Sequence, residues 1–355
     1  MYKKLLALLT ASCICLSITM SANAAVIASQ DLLEESRVNQ IENALAFVEE
    51  TKSAFGLDDV DFNNLDLGTS VITYEYIDGV FKASGEMVPI IWNNEIVASA
   101  FDAGNGNYSI ETSLAASISE TGFDDVAIVY DRDEVYLFNG LDFVLLKKSN
   151  ICVAERDDID LNTIKDKPHH ITTTNMIDND RIRLSLGDKR ARATLPYAEC
   201  DVKYVTQLPY ENLCWAACVA MVKNYISGTS LTAPDVSRKT FGTLKDATQS
   251  GTEVQKCMRN HYGLNYTYNS YAPGENVIFN NLSDGHPIIG VFSPTSGDRH
   301  ACVIIKSNPF SYFINILDPM SGLITINGSG GQYKYVSSVS HKTFTLSAGL
   351  CYSWT

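Results

Sequence analysis

The stretch Gln207-Leu208-Pro209-Tyr210-Glu211-Asn212-Leu213-Cys214-Trp215-Ala216-Ala217-Cys218, continuing through Val219 to Tyr225, decides how this chain is read. From Cys214 to Tyr225 there is neither Gly nor Pro, and the residues predict a helix. Asn212, just ahead of that run, is expected to cap it. Cys214 then falls in the first helical turn, where unpaired N–H groups and the helix dipole stabilise a thiolate. The thiolate is the nucleophilic form of cysteine. Gln207 stands seven residues earlier, and its amide is expected to donate to a developing oxyanion together with the N–H of Cys214.

A cysteine nucleophile needs a base and a group that orients it. His300 opens an apolar stretch, Ala301-Cys302-Val303-Ile304-Ile305, which reads as a strand. Phe313 to Leu317 reads as the next strand and ends in Asp318-Pro319. Two antiparallel neighbours of this kind would bring His300 and Asp318 side by side. A carboxylate there holds the imidazole in the useful tautomer and supports the imidazolium. The rivals are weaker. His286 precedes a proline in a turn, His261 stands at a helix end, and His341 has no orienting partner nearby. Asn315 is the alternative to Asp318. Cys218, one helical turn after Cys214, reads as a buried structural thiol. Cys302 is expected to pack in the sheet. No CxxC pair exists, so no zinc ribbon and no metal site is expected.

The order Gln207, Cys214-Trp215, His300, Asp318 resembles the papain-like cysteine peptidases. Cys214-Trp215-Ala216-Ala217-Cys218 with a helix behind it, and Arg299-His300-Ala301-Cys302-Val303-Ile304-Ile305 followed by Leu317-Asp318-Pro319, are most similar to the bacterial branch. That branch holds the leader-peptide peptidases of bacteriocin exporters and the staphopain-like secreted proteases. The resemblance covers roughly residues 200–355. It implies an α+β peptidase domain, with an N-terminal helix carrying the cysteine and an antiparallel sheet carrying the histidine and aspartate. It makes Cys214 the nucleophile, His300 the general base and acid, Asp318 the orienting group and Gln207 part of the oxyanion hole. Plant-type papains carry Asn at the orienting position, whereas this chain carries Asp. The ATP-binding cassette of the exporters is absent, which favours a stand-alone protease.

The rest of the chain differs in character. It has 355 residues, and 45% are hydrophobic, enough to bury real cores and to exclude wholesale disorder. A net charge of −14, with no basic stripe or P-loop, argues against nucleic-acid and anionic-membrane partners. The charge is uneven. Residues 25–192 hold 14 Lys/Arg against 31 Asp/Glu, and residues 193–355 hold 11 against 10. Residues 1–24 read as a signal peptide: Lys3 and Lys4, an apolar run from Leu5 to Met20, then Ala22-Asn23-Ala24. Seven of the nine cysteines follow it. An odd number in an exported chain points to a free thiol, and Cys200, Cys257 and Cys351 are candidates for a disulfide.

An amphipathic helix is expected over 30–54, followed by short strands from Val71 to Leu146 with a short helix at Leu114–Ser119. This acidic helix-plus-antiparallel-sheet unit, 25–150, has the size of a propeptide and resembles the barrel-like pro-regions of staphopain-type enzymes. The polar stretch 151–199 reads as a linker. Its Lys189-Arg190-Ala191-Arg192 cluster is an accessible activation site, and the pair His169-His170 reads as solvated loop.

The expectation is therefore an exported zymogen. It has a signal peptide (1–24), an acidic α+β pro-domain (25–150), a linker with the activation site (151–199) and a papain-like peptidase domain (200–355). Its partners would be a protein or peptide substrate and its own pro-domain as intramolecular inhibitor. No cofactor, nucleic acid or membrane is expected once the signal is removed. The alternatives are a transpeptidase or cell-wall peptide hydrolase using the same thioester, or a non-catalytic binding protein on a peptidase scaffold.

Overall fold

Alternating apolar residues drive a large share of this chain into strands, and the strands join edge to edge in one large sheet. The computed structural model describes residues 35–50, 52–77, 80–103, 108–123, 125–131, 134–148, 171, 173–177, 181–187, 197–294, 299–309, 312–328, 332–339 and 342–353. The signal segment, His169, His170 and Lys189 to Arg192 lie outside them, as does His341. Residues from Glu42 onward cluster as one compact unit, separate from Met1–Ile41. Among the described residues before that unit, 35–41 are helical. No helix among the described residues is long and apolar enough to cross a membrane.

In the N-terminal half, residues 42–49 are helical and bury Phe47 and Val48 completely. Strands Val71–Ile77, Val80–Trp92, Glu95–Asp102 and Tyr108–Glu111 follow as successive antiparallel neighbours. Asn93 and Asn94 turn the second of these hairpins, both with positive φ, as a tight two-residue connection demands. Helix Ser113–Ser119 then leads to Asp125–Asp131, Glu134–Phe138 and Phe143–Lys148, again antiparallel in sequence. The sheet is not antiparallel throughout, which corrects the sequence expectation. Val71–Ile77 pairs with Asp125–Asp131 in parallel, Thr73 opposite Ile128. The long crossover between them, which includes the short helix, makes that geometry available, whereas a tight hairpin would not.

In the C-terminal half, the helices Cys214–Ser227, Ala233–Phe241, Gly251–Tyr262 and Glu275–Ser283 come first. Strands Ile288–Pro294, His300–Asn308, Phe313–Asp318 and Gly322–Asn327 form an antiparallel meander, and Thr343–Tyr352 pairs on the other side of Ile288–Pro294. The Cys214 helix is apolar nearly all round: Trp215 to Val222 are all buried. Such a helix belongs inside a core, and it packs against the His300 strand. Every residue of the His300 strand is buried, including Lys306, Ser307 and Asn308.

The two halves share a sheet. Tyr108–Glu111 pairs antiparallel with Gly322–Asn327, Ile110 opposite Thr325 and Ser109 opposite Ile326. Phe47 stacks on Phe313 at 5.3 Å between ring centroids. The buried Lys306 amine lies 5.0 Å from the Phe47 ring and 3.9 Å from that of Tyr197, with Glu199 at 3.4 Å. Burial pushes this amine below the ordinary lysine range, and the neighbouring Glu199 charge only partly counters that.

Candidate active site

The Cys214 helix begins without a side-chain cap: its N-cap is Leu213, not Asn212. Asp246, from the loop ahead of the Gly251 helix, ties the residues just before the helix without capping it. Its carboxylate accepts the N–H of Asn212 at 2.8 Å and of Glu211 at 3.2 Å. The loop before the helix is thus tied from outside. The first helical bond runs from Ala217 N–H to Leu213 O, which leaves the N–H groups of the first turn around Cys214 outside the intrahelical ladder. Trp215 is fixed by its indole N–H, which donates to Ala247 O at 2.9 Å, and by edge-on packing against Phe241.

The antiparallel register supplies the rest. Phe292 faces His300 across one ladder, and Leu317 faces Val303 across the next. Continuing that ladder by one residue puts Asp318 opposite Cys302, and the strand period places His300 and Cys302 on one face. His300 Nε2 is 2.7 Å from Asp318 Oδ1. The other Asp318 oxygen accepts the Tyr335 hydroxyl at 3.0 Å, and the N–H of Met320 donates to Oδ1 at 2.8 Å. Nε2 is committed to Asp318, and the same ring acts on the Cys214 thiol, lowering its titration. Asn315, the alternative to Asp318, is turned elsewhere and accepts the Thr325 hydroxyl.

Electrostatics follow from these contacts. Burial alone would raise the Cys214 thiol. The hydrogen bond and charge of His300, with the backbone N–H groups of Ala301 and Trp215, outweigh it and leave the thiol below its ordinary value. Burial disfavours the His300 imidazolium, yet the Asp318 charge and its hydrogen bond hold it well above the ordinary histidine range. Asp318 is likewise kept below the carboxylate range, because His300, Met320 and Tyr335 overcome its burial. The arrangement favours a thiolate–imidazolium pair, ready to attack a carbonyl and to return a proton to a leaving group.

Of six described cysteines, all free thiols, Cys214 is the only one not buried. Cys200, Cys257 and Cys351 are separate thiols, so they do not supply the disulfide that the sequence suggests. Burial pushes Cys200, Cys302 and Cys351 up to about 11. Cys218 is fully buried beneath Cys214, as its position one turn later predicts. His300, Cys302 and Asp318 place potential metal-binding atoms within 4.8 Å of one another, although His300 and Asp318 are already bonded to each other and the Cys302 sulfur lies beside the Tyr335 hydroxyl.

Gln207 occupies a different place. It is buried, and both protons of its amide nitrogen are engaged, by Tyr210 O and Glu211 O, each at 2.9 Å. Its backbone N–H donates to Pro319 O, which also accepts the hydroxyls of Tyr204 and Thr206. In this conformation Gln207 anchors the loop ahead of Cys214 to the turn that follows Asp318. The structure brings Cys214, His300 and Asp318 together and leaves the Gln207 amide committed to the backbone.

Cys214 and His300 open onto a cleft of roughly 160 Å³. One wall is polar, from Thr248 to Thr252. The other is apolar, with Val254, Tyr268, Ile289, Val291 and Leu350. Residues 196–327 match the family described as papain-like cysteine protease AvrRpt2. The chain is a cysteine-type peptidase. No curated protein matches it. The papain-like match contains Gln207, Cys214, His300 and Asp318. Two features of the peptidase escaped the sequence reading. Asp246 gives no local cue, because its partners lie 34 and 35 residues away. Tyr335 lies in a short strand, Lys334–Val336, after a glycine-rich stretch. With Tyr333 two residues earlier and Lys334 and Ser337 around it, nothing local singles it out.

Proposed function

We propose that this protein is an exported endopeptidase that cleaves peptide bonds through a thioester on Cys214. His300 acts as general base and acid, and Asp318 orients it. The observation that carries this reading is the buried Asp318–His300 pair acting on Cys214, the one thiol among the described residues that is not buried, at the head of a helix. Cys214 attacks the scissile carbonyl, and His300 gives a proton to the leaving amine. Water, activated by the same imidazole, then releases the acyl group. The N–H of Cys214 is a donor for the oxyanion, and Gln207 supports it by holding the loop in front of the helix.

Export rests on residues 1–24. Processing within 181–199 rests on the basic cluster at Lys189 to Arg192, which lies outside the described residues. Among the described residues, the cleft is lined only from the C-terminal half. A pro-region acting by plugging that cleft therefore draws no support from them. The membership of the acidic half in the sheet points to a bracing role instead.

The experiment is a Cys214→Ala variant compared with the native chain for casein hydrolysis and for self-processing, with N-terminal sequencing of the secreted product. Loss of both activities, and a native N-terminus within 181–199, are expected. Hydrolysis that survives the substitution would overturn the reading. An amide product formed from an added amine, without hydrolysis, would favour acyl transfer.

A further inference from the structure

Tyr335 is fully buried and linked to the triad carboxylate. Its hydroxyl donates to Asp318 Oδ2 at 3.0 Å, opposite the oxygen that holds His300. The same hydroxyl lies 3.5 Å from the Cys302 sulfur. The ring is set by Phe344, stacked at 5.4 Å, and by Phe292, edge-on at 5.4 Å. Phe344 in turn packs 5.7 Å from His300. A short strand of three residues, Lys334–Val336, carries this tyrosine, and it pairs on one side with Thr343–Tyr352.

On the residues just beyond Tyr335, the acidic half takes hold. Val336 N–H donates to the Ser109 hydroxyl at 3.4 Å, and the Ser338 hydroxyl donates to Glu111 Oε2 at 3.3 Å. Glu111 is itself buried and fixed by the Ser113 hydroxyl and the Leu114 N–H. Val336 packs into the apolar core of the acidic half, beside Val71 and Phe101. The strand that carries Ser109 and Glu111 is the one that pairs with Gly322–Asn327, directly after the Asp318 turn. Backbone pairing and buried polar contacts therefore reach the carboxylate's surroundings from two directions.

We infer that Tyr335 is a positioning residue for the Asp318–His300 pair, and that the acidic half braces it through Ser109 and Glu111. The acidic half then acts as a partner of the triad. This inference rests on the proposed roles of Cys214, His300 and Asp318. It predicts that a chain cut in the linker keeps its two pieces together, since the brace is made by strand pairing and buried side chains, not by the linker.

The test uses the full chain with three sets of changes: Tyr335→Phe, the pair Ser109→Ala with Ser338→Ala, and all three together. Two readouts are taken across pH, kcat/KM for a peptide substrate and the rate of Cys214 alkylation by iodoacetamide. Removing the Tyr335 hydroxyl takes a donor from Asp318, so its carboxyl titrates at higher pH. Both profiles are expected to shift, because the Asp318 charge acts on the His300 and Cys214 titrations together, with kcat lowered about tenfold and KM within about twofold. The serine pair should shift them the same way by less, and add nothing further to Tyr335→Phe. Unmoved profiles in Tyr335→Phe would overturn the inference. So would a serine pair that lowers only the melting temperature, or that adds its full effect to Tyr335→Phe. If the native chain hydrolyses no peptide, the proposed function fails. The alkylation profile still decides the bracing.

Discussion

Asp318 Oδ1 sits 2.7 Å from His300 Nε2, with side chains 1% and 9% exposed. In a site this dry the carboxylate charge is felt strongly by the ring. Asp318→Asn keeps the shape and removes the charge. The His300 imidazolium then loses what holds it above the ordinary range, and Cys214 loses the cation that holds its thiol down. Activity lies between the lowered cysteine and the raised histidine. The variant should therefore narrow the pH profile from both sides, acid limb up and alkaline limb down. A drop in kcat/KM on the order of a hundredfold is expected. A profile as wide as the native one would refute the assignment.

Thiol reactivity separates Cys214 from its neighbours. Burial places Cys200, Cys302 and Cys351 at about 11, while Cys214 lies below the ordinary thiol value. At neutral pH the thiolate fractions differ by about a hundredfold or more. Limiting iodoacetamide followed by peptide mapping should label Cys214 first, and Cys214→Ala should remove the fast phase.

Gly251 shows where the cleft has no room to spare. A Cβ there would lie 2.2 Å from Tyr268 Cε2. The Tyr268 backbone is held by Gln255, whose Oε1 accepts its N–H at 2.8 Å, so the ring must swing. Both residues line the cleft. Gly251→Ala should cost about 1–3 kcal/mol of stability from overpacking, and raise KM more than it lowers kcat. An unchanged KM would show that substrate does not use this wall.

Lys306 is a buried cation whose amine lies between Phe47 and Tyr197. Its folded-state value is depressed, so the unfolded chain binds the proton more readily. Stability should then rise with pH between the depressed value and the ordinary lysine range. Lys306→Met fills similar space without a charge to desolvate. It is expected to be neutral or stabilising by about 1–4 kcal/mol, and to abolish that alkaline gain. Urea unfolding at two pH values measures both effects.

Gln207 donates to two carbonyls with one amide group. Gln207→Glu would set carboxylate oxygens against those carbonyls in a buried site. A loss of about 1–3 kcal/mol is expected in thermal unfolding, with a fall in kcat as the loop ahead of Cys214 loosens. Full stability in this variant would show that the amide does not anchor the loop.

Local patterns made much of this molecule legible. The run from Cys214 to Tyr225 announced its helix, and the runs at Ala301–Ile305 and Phe313–Leu317 announced their strands, because side-chain periodicity is a property of neighbouring residues. Strands fill the expected span from Val71 to Leu146 for the same reason, although Val80–Trp92 runs longer than the short strands expected there. Partner choice was not legible. Nothing near Val71 or Val126 states that their strands pair in parallel, and nothing near Tyr108 states that it reaches Gly322–Asn327. The cap shows the same limit at smaller scale. Asn212 was the local candidate, yet the helix begins without a side-chain cap at Leu213, and Asp246, delivered by the fold-back of the chain, ties the loop in front of it instead.

By itself the sequence singled out a thiol at a helix start and an imidazole and carboxylate on consecutive strands. These depend on residue type and short-range spacing. The tertiary structure alone decided which oxygens and nitrogens meet. It committed the Gln207 amide to the backbone, turned Asn315 away from His300, and brought Tyr335 onto Asp318 with Ser109 and Glu111 behind it. Those contacts join residues up to 227 positions apart. They form only when strand registers and buried surfaces are satisfied together, a condition no local stretch of sequence can express.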